Sequence, residues 1–194
     1  MALCRHVALL RGINVGGNKL IRMADLRAVF QALGFSSVET YIQSGNVVFT
    51  TKAARKATLT ENIEIALEAQ FGHEARIVLV TSQELKQVVD EAPAEFGQRP
   101  DEFRYDVVFV REPSKPGEVL RQLTPRPGID AAQAGELALY FRRLSSRASQ
   151  SRLTKLNRLA VYQNVTVRNW NTTVRLLAMA LGNVQGFEGQ MEEG

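Results

Sequence analysis

The stretch VETYIQSGNVVFTT, residues 38–51, decides the fold. It contains two runs rich in β-branched and aromatic residues, VETYI (38–42) and VVFTT (47–51), separated by the turn QSGN. Such runs around a short Ser-Gly-Asn turn are typical of a β-hairpin. The sequence therefore predicts an antiparallel pair of strands within its first half.

The elements on either side of the hairpin predict a ferredoxin-like unit. The apolar run of residues 5–11 predicts a first strand, and residues 23–33 carry apolar side chains at helical spacing. After the hairpin, residues 58–71 predict a second helix and residues 75–81 a closing strand. The order β-α-β-β-α-β is that of the split βαβ arrangement.

The same order recurs in the second half of the chain. Residues 103–111 predict a strand, 115–123 a short helix, 128–142 a hairpin, 150–159 a helix and 164–168 a last strand. The repeated winding predicts an α+β fold of two ferredoxin-like (βαββαβ) halves with mainly antiparallel sheets. A linking helix and a C-terminal helix complete the predicted fold.

The division of the chain follows from breaks in this pattern. Two prolines and a glycine within residues 93–100 mark a boundary between the halves. The end of the chain is rich in Gly, Gln and Glu and is expected to be disordered. The predicted segments are an N-terminal subdomain (1–82), a linking helix and linker (83–102), a C-terminal subdomain with the final helix (103–182) and a tail (183–194).

Composition places the chain among ordinary globular proteins. Hydrophobic residues make up 45% and charged residues 23% of its 194 residues. The lone Cys4 cannot form an internal disulfide, so we expect a reducing, cytoplasmic compartment. No apolar run approaches the length that spans a bilayer, and no membrane association is expected. The net charge of +4 mildly favours anionic partners.

The most unusual segment is LRGINVGGNK, residues 10–19, between the first predicted strand and helix. Its glycines allow a ligand to approach the backbone, and successive N–H groups in such a loop can bind an anion. It is not a P-loop, because Asn18 separates Gly17 from Lys19 and no Ser or Thr follows. A demanding strand-to-helix connection without any ligand explains the loop equally well.

Topology places the hairpin turn beside this loop. In a split βαβ unit, the loop after the first strand and the turn between the next two strands lie at the same end of the sheet. Amides, a hydroxyl and a guanidinium would converge there and suit a phosphorylated ligand, although a turn selected only for folding is the simpler explanation of QSGN. The candidate ligand-binding residues are Arg11, Gly12, Asn14, Gly16, Gly17, Lys19, Gln43, Ser44 and Asn46.

Arg168, Asn169 and Trp170 form a candidate second polar cluster. The tryptophan could stack on a base or seal the interface between the halves, and sealing is the favoured interpretation. A basic stretch, residues 142–158, carries six Arg and Lys and no acid, which suits phosphate contacts. It lacks the interleaved aromatic residues of a base-stacking surface, and a solvated basic loop and helix face is the favoured interpretation. The last helix is predicted over 172–182.

Standard catalytic constellations do not occur in the sequence. His6 and His73 are far apart and lack ligand-like neighbours, so neither a metal nor another cofactor is expected. Ser44 lacks the Gly-x-Ser-x-Gly context of a nucleophile and has no evident base. Whether the chain is an enzyme stays open at this point.

Three motifs, ALLRGINVGG (8–17), TYIQSGNVVF (40–49) and TVRNWNT (166–172), together resemble a known family. It is the bacterial family known as domain of unknown function 1697. The resemblance covers nearly the whole chain, and it implies two α+β subdomains of ferredoxin-like winding but no activity. The residues that match the family's pattern are Arg11, Gly12, Asn14, Gly16, Gly17, Gln43, Ser44, Gly45, Asn46, Arg168, Asn169 and Trp170.

The leading hypothesis is a binding protein for a small anionic or nucleotide-like ligand, held by the loop 11–19 and the turn 43–46. The alternative is a nucleic-acid-associated module, because some RNA-binding domains use open antiparallel sheets. An enzyme of unknown class is a third hypothesis. A homodimer formed through exposed sheet edges is a fourth.

Overall fold

The computed structural model describes residues 2–11 and 21–183. Its first half follows the predicted order β-α-β-β-α-β. The elements are β1 (Leu3–Leu10), α1 (Met23–Ala32), β2 (Ser36–Tyr41), β3 (Asn46–Lys52), α2 (Lys56–Phe71) and β4 (Ile77–Thr81).

The second half departs from this order at one place. Its elements are α3 (Ser82–Asp90), β5 (Phe103–Val110), α4 (Pro116–Leu123), β6 (Asp130–Ala134), β7 (Ala138–Leu144), β8 (Val165–Asn169) and α5 (Trp170–Ala180). Between β7 and β8 the chain forms three short 3-10 helices: Ser145–Gln150, Arg152–Arg158 and Ala160–Asn164. The α-helix predicted over 150–159 was therefore wrong.

Side-chain hydrogen bonds to the backbone explain this departure. Ser151 Oγ accepts from the N–H of Leu153 at 3.1 Å, and Thr154 Oγ1 donates to the carbonyl of Ser151 at 2.7 Å. Serine and threonine that bind nearby backbone groups in this way compete with the α-helical ladder. The chain consequently breaks into short 3-10 turns.

Each half contains one four-stranded antiparallel sheet. The strand orders are β2-β3-β1-β4 and β6-β7-β5-β8, so β1 and β5 each lie inside a sheet between two partners. The predicted α+β fold with antiparallel sheets, a linking helix and a C-terminal helix is confirmed.

The core consists of three layers, because helices cover both sides of the central strands. Along β1, Ala8 and Leu10 pack with α1 and α2, while Val7 and Leu9 pack with α3 and α5. The outer side of the second sheet packs on α4 and the 3-10 helices. The helices α3 and α5 thus lie between the two sheets, and the central strands offer no open platform of the kind RNA-binding sheets use.

The start of α5 lies two residues earlier than predicted. Asn169 is its N-cap, and the Asn169 side chain accepts from the N–H of Thr172 at 2.7 Å. Thr173 Oγ1 also donates to the carbonyl of Asn169 at 3.0 Å. These bonds satisfy the first turn of the helix and place Trp170 at its first position.

His6 is a buried polar residue of β1, only 4% exposed. Its ring stacks on Phe49 at 5.6 Å, and its Nδ1 lies 3.2 Å from the carbonyl of Cys4. Burial lowers the pKa of His6 below its ordinary value, because the charged imidazolium would lose its hydration.

Stability is therefore expected to fall as the pH drops below about 6.5, the ordinary pKa of histidine. Over that range the unfolded chain binds a proton at His6 that the folded chain does not bind, so acid favours unfolding. Urea unfolding at pH 7 and pH 5 should show a smaller acid-induced loss for His6→Gln than for the unmodified protein. His73→Gln is the matched control, and an equal loss in all three proteins would contradict the expectation.

Candidate functional site

Five of the predicted ligand-binding residues lie outside the described residues: Gly12, Asn14, Gly16, Gly17 and Lys19. The described chain reaches their loop at Arg11 and resumes at Ile21. The described part of the candidate site therefore consists of the elements around Arg11, at the end of β1.

The end of β1 and the β2–β3 turn lie side by side. The N–H of Leu10 donates to the carbonyl of Gly45 at 2.9 Å, and Leu9 pairs with Asn46 across the two strands. Gly45 has a φ of +74°, a value that favours glycine. Gln43 is exposed and Ser44 half-buried, so both lie at the surface next to the strand that leads into Arg11.

Asn46 has a different role from the one predicted. It is 0% exposed. Its Nδ2 donates to the carbonyl of Tyr41 at 2.9 Å and to Ser44 Oγ at 3.1 Å, while its Oδ1 accepts from Arg168 Nε. Because all of its polar side-chain atoms serve the turn and this arginine, Asn46 holds the fold and does not face a ligand.

Arg168 joins the two halves of the protein. It extends from β8 and is 6% exposed. Its guanidinium donates to neutral acceptors only, which are the carbonyls of Leu10 (2.8 Å), Ser44 (3.1 Å), Gly45 (3.2 Å) and Val167 (2.8 Å), Thr166 Oγ1 (2.9 Å) and Asn46 Oδ1 (2.5 Å). One side chain of the second half thus fixes both the end of β1 and the turn of the first half.

The charge of Arg168 has no carboxylate partner among the described residues. Burial lowers the pKa of Arg168 to about 10, because the charged form loses its hydration, and the group still carries its charge at neutral pH. A buried cation without a counter-ion creates a positive potential around it. An anion placed near the end of β1 would be stabilised by that potential.

Arg11, the last described residue before the loop, also lacks an ion pair in the described part of the chain. Its guanidinium carbon lies 4.9 Å from the centre of the Tyr162 ring, and its Nη2 makes a long 3.5 Å contact with Gln163 Oε1. The Nε–H of Arg11 is buried from solvent and has no hydrogen-bond partner among the described residues. Tyr162 and Gln163 belong to the last 3-10 helix, and no local sequence signal could have linked them to Arg11.

Trp170 packs against the linker that follows α3. Its ring centre lies 5.3 Å from that of Phe96, with the two rings nearly perpendicular. Both rings border the apolar core between the sheets. Together with the roles of Arg168 and Asn169 described above, this packing shows that the residues of the second polar cluster hold the fold together.

The two halves also enclose a cleft of about 440 Å³, lined by α2, β4 and the end of β5. In the cleft, Glu64 Oε1 accepts from Arg111 Nη1 at 2.6 Å and from the N–H of Ile77 at 2.9 Å. Arg76 lies 3.6 Å from the other oxygen of Glu64. These charges are matched within the protein, so they do not mark a site for a charged ligand.

The predicted basic stretch is split between paired and solvated cations. Arg143 Nε donates to Asp106 Oδ2 at 2.8 Å. Arg152, Lys155 and Arg158 are exposed on one 3-10 helix and form no ion pair with any residue that the structure describes. They form a solvated basic face.

Residues 2–11 and 21–183 contain neither a metal-binding cluster nor a membrane-spanning helix. No three His, Cys, Asp or Glu side chains there lie close enough to hold a metal ion. None of the helices in these ranges has the length and apolarity needed to cross a membrane.

These features define a class: an α+β protein of two antiparallel sheets that are joined through a buried arginine. The model of a protein family, described as "Protein of unknown function (DUF1697)", matches residues 3–140, and the chain belongs to this family. The predicted resemblance is thereby confirmed. No protein with a curated description matches the chain.

The fold is similar to that of the conserved bacterial protein SP0830 from Streptococcus pneumoniae. The two share 27% identity with a TM-score of 0.80, over 92% of this chain and 99% of that chain. An unknown protein from Galdieria sulphuraria matches with 13% identity and a TM-score of 0.26, over 87% of this chain and 98% of that chain. A TM-score this low carries no structural argument.

Proposed function

We propose that this protein binds a small anionic or nucleotide-like ligand where the loop 11–19 meets the turn 43–46. One observation carries the proposal: two guanidinium groups, those of Arg11 and Arg168, lie at this end of β1 without a carboxylate partner in the described part of the chain. Guanidinium groups form strong charge-assisted hydrogen bonds to phosphate and carboxylate oxygens. A bound anion would supply the missing counter-charge.

The two arginines have different tasks in this proposal. Arg11 contacts the ligand, because its Nε–H lacks a partner among the described groups and its ring contact with Tyr162 holds the side chain in place. Arg168 acts from beneath by its charge alone, since its donors are occupied by the fold. Gln43 and Ser44 orient the ligand from the rim of the turn.

The loop completes the proposed site. The amides around Gly12, Gly16 and Gly17 bind the anion, with Asn14 and Lys19 as side-chain ligands. The proposal includes a cytoplasmic location, because Cys4 is the only cysteine of the chain and has no internal disulfide partner.

Arg11→Ala is expected to weaken the binding of ATP or inorganic pyrophosphate about tenfold or more, because a hydrogen bond to a charged group is worth about 1.5–3 kcal/mol. Isothermal titration calorimetry at low ionic strength measures the affinity of each probe. Arg55→Ala is the matched control, because Arg55 is an exposed arginine far from the proposed site. It lies two residues after Ala53, whose N–H donates to the carbonyl of Ala2 next to the other end of β1. Equal affinities of the Arg11 and Arg55 variants for every probe would refute the proposal.

Association with nucleic acid is the second candidate, and the exposed cations Arg152, Lys155 and Arg158 support it. It is the weaker one, because the central strands are covered on both sides and offer no stacking platform. A single-stranded oligonucleotide in the same titration separates the two candidates. Binding that is lost with added salt but is indifferent to Arg11→Ala would favour nucleic acid.

A further inference from the structure

A separate cavity of about 350 Å³ lies between the linker after α3 and the second sheet. Phe96, Tyr105 and Tyr140 form its deeper walls. Arg142 lines it from β7, and the exposed residues Ala94, Glu95, Ala131 and Gln133 form its rim. We call this cavity the aromatic pocket. None of its lining residues belongs to the loop site.

The rings of the aromatic pocket are held in fixed positions. The Phe96 ring lies 5.0 Å from Tyr105 and 5.6 Å from Tyr140, edge-on to both. Tyr140 Oη donates to the carbonyl of Val88 at 2.6 Å, and Tyr105 Oη accepts from the N–H of Arg99 at 3.2 Å. Because the backbone engages both phenol oxygens, the walls available to a ligand are mainly ring carbon. A planar apolar group, such as an aromatic ring, would pack well against such walls.

Arg142 gives the pocket a positive charge. Its guanidinium carbon lies 4.4 Å from the centre of the Phe103 ring, a stacking contact that fixes the side chain. It forms no ion pair with any residue that the structure describes. Glu95 also reaches the rim, but it is exposed and water screens its charge. A half-buried guanidinium beside an apolar cavity is suited to a carboxylate.

We propose that the aromatic pocket binds a small aromatic carboxylic acid, with its ring against Phe96, Tyr105 and Tyr140 and its carboxylate on Arg142. The volume lies at the lower end of the range for small-molecule sites, which suits a one-ring ligand. Polar groups among the lining residues are few, so the charge of Arg142 would orient the ligand as well as hold it. This site is independent of the anion site at the loop.

The test uses 3-phenylpropionate as the probe, titrated into the full-length protein by calorimetry. Saturable binding is expected, and Arg142→Gln should weaken it about tenfold or more because the carboxylate loses its charged partner. Arg104→Gln, which removes an exposed arginine of the adjacent strand β5, should leave the affinity unchanged. The uncharged analogue 3-phenylpropionamide should bind about tenfold more weakly than the acid.

A second variant fills the pocket without altering its charge. Ala131 lies on the edge strand β6 directly opposite Arg142, and it is exposed, so Ala131→Phe should block the probe while the urea midpoint stays unchanged. Arg11→Ala should bind 3-phenylpropionate normally, which separates this site from the loop site. Absence of saturable binding, equal binding of acid and amide, or full binding by both pocket variants would each overturn the proposal.

Discussion

Replacing Arg168 by methionine is expected to lower the free energy of unfolding by about 3–5 kcal/mol, a large fraction of the stability of a typical domain. The substitution keeps a long side chain but removes every donor. The carbonyls of Leu10, Ser44 and Gly45 then lose hydrogen bonds at the buried junction between the halves. The Gly45 carbonyl keeps the N–H of Leu10, and the Leu10 carbonyl keeps the hydroxyl of Thr166. The Ser44 carbonyl and Asn46 Oδ1 lose the donor that Arg168 supplies, and a buried acceptor left without a donor costs about 1–3 kcal/mol.

Desolvation of Arg168 acts in the opposite direction, because its removal relieves the burial of a charge. The guanidinium is itself desolvated, and replacing buried charges by apolar groups is often neutral when all partners are replaced together. Here most partners of Arg168 are main-chain carbonyls, which no substitution can replace, so the loss of donors outweighs the relief of desolvation. Arg168→Lys is expected to be nearly as destabilising, because an ammonium lacks the planar fork that reaches Asn46 and the carbonyls together.

Urea unfolding followed by circular dichroism measures these losses. Arg104→Met is the matched control, because Arg104 is an exposed arginine of the same sheet and its loss should change stability by no more than about 0.5 kcal/mol. A loss below about 1 kcal/mol for Arg168→Met would mean that the junction carbonyls find other donors, and the structural role assigned to Arg168 would be wrong.

The strands of both sheets could be predicted from the sequence because their apolar β-branched runs are short and bounded by turn residues. The runs at 47–51 and 103–111 both became strands close to the expected limits. The segment 150–159 could not be assigned correctly, because its apolar spacing suits a helix while Ser151 and Thr154 bond to the backbone instead. Which of these effects prevails depends on local geometry that spacing alone does not contain.

The candidate site was only partly predictable for a different physical reason. Arg168 and Asn46 stand 122 residues apart, and the sequence marked both as polar residues of interest without revealing that they bond to each other. The same polar residue types occur buried, where they hold a fold together, and exposed, where they bind a ligand. Only their burial in the structure distinguishes the two roles. The sequence also could not show that the sheets are covered, because α3 and α5 pack between them and no motif indicates this packing.

The aromatic pocket could not be predicted at all. Its rings come from the linker, from β5 and from β7, and nothing in their spacing indicates that space is left between them. Phe96 lies in the predicted boundary segment 93–100, and in the structure its ring contacts three other rings. A cavity depends on how elements pack, and the packing of a linker carries no periodic signal.

The packing of this linker leads to the second large expected effect, at Gly97. Its φ is +89°, and a Cβ at this position would lie 2.5 Å from Trp170 Nε1. The indole cannot move aside easily, because the Phe96 ring contacts it at 5.3 Å. Alanine at position 97 therefore suffers both backbone strain and a collision with a packed ring.

Gly97→Ala is expected to cost about 1–2 kcal/mol for the left-handed backbone and about 1–3 kcal/mol more for overpacking. Gly72→Ala isolates the first contribution, because Gly72 has a φ of +70° but nothing within 4 Å of an added Cβ. Urea unfolding of the two variants should thus differ by the packing contribution alone.

A third variant identifies the collision partner. In a Trp170→Leu background the indole is absent, so Gly97→Ala should cost no more than Gly72→Ala does in the unmodified protein. The coupling between positions 97 and 170 is the double-mutant interaction energy. Equal losses for the two glycine variants, or a Gly97→Ala cost that persists without the indole, would show that Trp170 does not fix the linker. Phe96 would then lack its support as a wall of the aromatic pocket, because Trp170 is the ring that packs against it from α5.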